Sequence, residues 1–118
     1  MARPAPDAAP SPQARYEALV ERELRQPEVS FGRMMSGQVL SVGGKIYAML
    51  VRDQLVVKLP AARAATMIAA GTAVAFEPRP GRRMREWVAV DPPPPGTGEG
   101  RWPELVDEAR RYGLAARR

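Results

Sequence analysis

The apolar positions follow a helical repeat, then a two-residue repeat, then helical spacing again. Tyr16, Leu19, Val20 and Leu24 recur at three- and four-residue intervals and predict a first helix. Ser11-Pro12 supplies an N-cap and a proline at the first helical position, and Pro27 stops it. Glu17, Glu21, Arg22 and Arg25 take its other faces. From Phe31 to Val90 the period shortens. SFGRMM, GQVLSVGG, KIYAMLVRD and QLVVKL read as four strands of an antiparallel meander, with turns at Gly43-Gly44 and Asp53-Gln54.

PAARAATMIAAG then predicts a second helix with Ala61, Ala64, Ala65, Met67 and Ile68 as a shallow apolar stripe and Gly71 as its terminator. TAVAFEP and MREWVAVD are two further strands around the turn RPGRR. In the second of them Met84, Glu86, Val88 and Val90 oppose Arg85, Trp87 and Ala89. Trp102-Pro103 opens a last helix with the stripe Trp102, Leu105, Val106, Ala109 and Tyr112, and Gly113 is read as its end. The order α-β-β-β-β-α-β-β-α predicts a two-layer α+β fold, an antiparallel sheet with helices packed on it.

The third strand departs from simple alternation. Strict two-residue spacing puts Ile46, Ala48 and Leu50 on one face and Tyr47, Met49 and Val51 on the other, and both sets are apolar. A half-exposed sheet alternates apolar with polar. Such a strand is covered on both sides, or its second face is an interface. Tyr47, Met49 and Val51 are therefore the candidate protein interface.

The Pro/Ala-rich segment 1–10 reads as a tail, residues 11–115 as a single domain with a Pro/Gly-rich connector at 91–100, and 116–118 as a second tail. There is no cysteine and no histidine, which removes disulfides, thiolate chemistry, the usual zinc ligands and imidazole catalysis. No run of eighteen apolar residues is present, and the proline-broken start does not read as a secretory signal. The expectation is a cytoplasmic protein. The net charge of +5 is uneven, with nine basic and three acidic side chains between Val29 and Val90.

No serine has a histidine to activate it. The remaining catalytic combinations are Ser41 with Lys45 and Glu77 with Glu86; chance proximity explains the first and surface ion pairing the second. Gly43-Gly44-Lys45 lacks the spacing and following helix of a phosphate loop and reads as a hairpin turn. Six methionines fit core filling or an adaptable partner surface. In PRPGRRMREW, Arg79, Arg82, Arg83 and Arg85 cluster beside Trp87, a candidate phosphate or partner-binding group; the alternative is a solvated hairpin tip with Trp87 packed on the sheet. No catalytic residue, metal or cofactor is expected.

From Gly32 to Gly113 the chain resembles the N-terminal domain of the TfoX/Sxy competence-regulator family. The resemblance is carried by GRMMSGQVLSVGGKIYAMLVRDQLVVKL, a short helix ending in AAG, FEPRPGRRMREWVAV and a closing amphipathic helix. It implies an α+β domain without recognised catalytic residues, here as a stand-alone copy. The best-known members add a second, helical domain and assist transcription of DNA-uptake genes. With the sequence ending at Arg118, the expectation is a copy without that second domain, and a proline-rich insertion precedes its last helix. The leading expectation is a non-enzymatic binding or regulatory domain whose partner is a protein or a second copy. The alternative is a transcription-linked nucleic-acid module using the arginine cluster.

Overall fold

The computed structural model describes residues 10–34, 37–78, 81, 84–94 and 100–116. Its elements are α1 (Pro12–Glu23), β1 (Val29–Met34), β2 (Gly37–Val42), β3 (Lys45–Val51), β4 (Gln54–Lys58), α2 (Ala61–Ala69), β5 (Val74–Ala75), β6 (Trp87–Val90) and α3 (Trp102–Ala116). The fold is α+β in the order read from the sequence. All strand pairs are antiparallel, and the six strands run β1-β2-β3-β4-β6-β5 across one sheet. The meander thus occupies β1 to β4, and β6 returns beside β4 with β5 outside it.

The helices form one layer. Tyr16 and Leu19 of α1, Ala64 and Met67 of α2, and Trp102, Leu105, Val106 and Ala109 of α3 join one buried cluster with Leu40, Val42, Leu50, Leu55, Val57, Val88 and Val90 of the sheet. Ser11 caps α1 by accepting from the Ala14 N–H at 3.1 Å, and the Tyr16 hydroxyl donates to the Gln38 carbonyl at 2.8 Å, fixing α1 over β2. The Trp102 indole donates to the Asp91 carbonyl at 3.0 Å and anchors the start of α3. Arg63 and Glu108 join α2 to α3 at 2.9 Å.

Several local readings change. α1 ends at Glu23, before Pro27. β5 is only two residues, and β6 begins at Trp87 because Arg85 and Glu86 lie in a turn. In α2 only Ala64 and Met67 are buried, while Ile68 is exposed. α3 continues past Gly113 to Ala116. A Cβ at Gly113 would lie 3.0 Å from Val42 Cγ1. The glycine therefore brings α3 close to the sheet; it does not end the helix. Gly43 and Gly44, with φ of 59° and 84°, do form the expected tight turn.

Candidate functional site

The candidate interface on β3 is reorganised by a β-bulge. Leu40 pairs with Ala48 and Ser41 with Ile46, so Tyr47 has no partner on β2. An extra residue in one strand flips the parity of side chains on either side of it. Tyr47 consequently turns to the helix side with Ala48 and Leu50, while Ile46 pairs on the other side with Ser41. The expectation that Tyr47 shares a face with Met49 and Val51 is corrected: strict alternation does not hold through this strand. Tyr47 is buried in the main core, 1% exposed, and is not at a surface of the isolated chain.

Tyr47 is part of a buried polar cluster that the sequence reading missed. Its hydroxyl donates to Glu23 Oε1 at 2.8 Å. Arg110 of α3 donates to both Glu23 oxygens at 2.8 Å and also to Asp107. Glu23 is fully buried, so these bonds supply what water would otherwise provide. The cluster ties α1, β3 and α3 together. Burial, and then the hydrogen bond to Glu23, pushes the Tyr47 phenol well above the ordinary tyrosine range; burial does the same for Tyr16. Glu23 follows Leu19 by four residues and Arg110 follows Val106 by four. A charge repeated onto each apolar stripe was the available signal.

Met49 and Val51 lie on the opposite face of the sheet. There Val51, Val56, Phe76 and Ala89 form a second apolar cluster, against which Met49, Met84 and Trp87 pack half-buried. No helix residue contributes to it. Val39 shares this face through its pairing with Met49, and Val74, paired with Ala89, is 56% exposed at the rim. Met34, 58% exposed, lies on the same side at the end of β1, in line with Gly32 opposite Val39. Among the described residues the polar side chains around this side include Ser30, Ser41, Gln54 and Arg52, whose guanidinium reaches the Glu77 carbonyl, while the Lys58 ammonium reaches Glu86.

Of the arginine cluster, Arg79, Arg82 and Arg83 lie outside the described residues. Arg85 is exposed in the turn before β6, and Trp87 is the half-buried ring on the open face. The register separates Ser41 from Lys45. Ser41 pairs with Ile46 on the open side, whereas Lys45 pairs with Val42 on the helix side, so they form no dyad. Glu86 accepts from the Tyr112 hydroxyl and lies 3.9 Å from Lys58. Its hydrogen bond to Glu86 raises the Tyr112 phenol. Among the described residues, no helix is long and apolar enough to cross a membrane. Comparison with protein-family models, curated proteins and solved structures found no match.

Proposed function

We propose that this chain is a small, non-enzymatic binding or regulatory domain that acts through protein contacts, and that its docking surface is the sheet face turned away from the helices. One observation carries the reading. The face not covered by helices is apolar, built from Met49, Val51, Val56, Phe76, Trp87 and Ala89. Among the described residues the centre of this face carries no charge and the nearby cations, Arg52 and Lys58, stand at its rim, whereas a phosphate-binding surface would place cations at its centre. Aromatic and methionine side chains with few charges are the composition of protein interface centres. The resemblance to the TfoX N-terminal domain supports the same class, and a cytoplasmic site of action goes with it.

The test is a photo-crosslinking amino acid at position 49, with position 62 on the exposed side of α2 as control. In cell extract the position-49 probe is expected to give discrete protein adducts that excess unmodified protein competes away and excess Met49→Glu does not. Equal labelling from both positions, or competition by Met49→Glu, refutes the reading.

A further inference from the structure

The first strand of the sheet is an edge whose hydrogen-bonding groups can be assigned residue by residue. Among the described residues β1 pairs with β2 alone, in a register that sets Val29 opposite Val42 and Met34 opposite Gly37. Just beyond it the Gly43 N–H donates to the Glu28 carbonyl at 3.0 Å. Antiparallel pairs alternate between bonded and non-bonded. If residue 28 bonds to 43, then Ser30, Gly32 and Met34 aim their backbone groups into the sheet. Val29, Phe31 and Arg33 aim theirs outward. The only one of these with a bond among the described residues is the Val29 N–H, to the Gln26 carbonyl at 3.4 Å.

We infer that a second copy of this chain pairs with β1 as an antiparallel strand about a two-fold axis at Phe31, joining the two sheets edge to edge. The inference rests on the proposed function only in taking the partner to be a protein, and it names that partner. Three observations single out a second copy. The outward groups are symmetric about Phe31, so Phe31 meets Phe31 and Val29 meets Arg33 of the other copy. This satisfies the Phe31 and Arg33 N–H groups in both copies without using the Val29 N–H. Charge also fits this register. The two Arg33 side chains fall about 14 Å apart along the strands, beyond the screening length. Finally, the strand carries little of the usual protection: no proline, no bulge and a single charge, at Arg33. Phe31 is 37% exposed on the helix side, and its ring would meet its counterpart across the new pair. Ser30 and Gly32 face each other on the open side, so the two apolar faces become continuous.

Sedimentation velocity and residue-resolved amide exchange at about 1 and 100 µM test this, because self-association follows mass action. The expected result is a shift from one to two protomer masses, with the Phe31 and Arg33 amides becoming at least about tenfold slower to exchange in the dimer while Ser30, Gly32 and Met34 are slow throughout. Arg33→Pro removes an outward N–H and no bond to β2, so it should leave the chain folded and monomeric, whereas Met49→Glu should still dimerise. A monomer at both concentrations overturns the edge pairing and leaves the open-face reading standing. So does a dimer abolished by Met49→Glu but not by Arg33→Pro. Should Arg33→Pro fail to fold, the exchange data decide: fast Phe31 and Arg33 amides in a wild-type dimer overturn the inference.

Discussion

Replacing Arg110 by methionine tests how the helix layer is held to the sheet. Methionine retains much of the aliphatic bulk of Arg110 and deletes the guanidinium. Glu23 then loses two 2.8 Å bonds and keeps the Tyr47 hydroxyl and the more distant Arg22 at 3.4 Å. Charge-assisted bonds contribute about 1.5–3 kcal/mol each, and removing one partner of a buried pair costs about 3–5 kcal/mol, chiefly through the stranded charge. That is a large share of the roughly 5–15 kcal/mol by which a domain is stable. Urea denaturation at neutral pH should show Arg110→Met lowering the unfolding free energy by this amount, as a lower midpoint with an unchanged slope. Glu23→Leu combined with Arg110→Met, in a Tyr47→Phe background that leaves no buried hydroxyl without its acceptor, should recover most of it, to within about 1.5 kcal/mol of that background, because no charge is then stranded. A cost below about 1 kcal/mol for the single variant, or no recovery in the combined one, refutes the claim that Glu23 depends on Arg110.

The other predictions follow from burial and close contacts. Trp102→Ala should cost about 3–5 kcal/mol in the same assay, and Trp87→Ala only about 2 kcal/mol, because Trp102 is buried beneath the helices and Trp87 is half-buried on the open face. Equal costs would contradict the assignment of the two rings. Gly113→Val should destabilise by about 1–3 kcal/mol by pushing α3 off Val42, despite valine's better helix propensity; a stabilised variant would show that the helix can retreat. Tyr16 and Tyr47 have phenols raised above the unfolded value of 10.0, so the native state holds their protons longer. Their contribution is complete below pH 10 and is lost as pH rises above it, at about 1.4 kcal/mol per pH unit for each tyrosine. Tyr112, raised by Glu86, adds to the measured alkaline slope, so Tyr47→Phe should lower that slope by about 1.4 kcal/mol per pH unit in denaturation measured above pH 10; an unchanged slope would mean Tyr47 ionises freely in the folded chain.

Element types and order were legible because strand and helix repeats leave periodic marks that local chemistry reinforces. Ser11-Pro12 and Gly43-Gly44 fixed two boundaries through capping and turn geometry. The bulge at Tyr47 was not legible. One extra residue leaves both alternating sets apolar, so Tyr47 is equally plausible on either face until its neighbours on β2 are known. Gly113 misled for a related reason: its role comes from Val42, seventy-one positions earlier in the chain. Glu23 and Arg110 were readable in principle as charges on apolar stripes, but each made sense only with the other in view. The sequence did mark the open face in part. Met49 and Val51 lie on the side without helices, as a doubly apolar strand requires, while Tyr47 was assigned there by a parity the bulge reverses.

The open apolar face can be examined most directly by hydroxyl-radical footprinting of the methionines, in the purified chain and in cell extract. The account predicts that Met34 and Met49 react when the chain is alone and dilute and are shielded in extract, while Ile68, exposed on α2, reacts equally in both. Unchanged reactivity of Met34 and Met49 in extract would contradict the claim that this face is where the protein meets its partner.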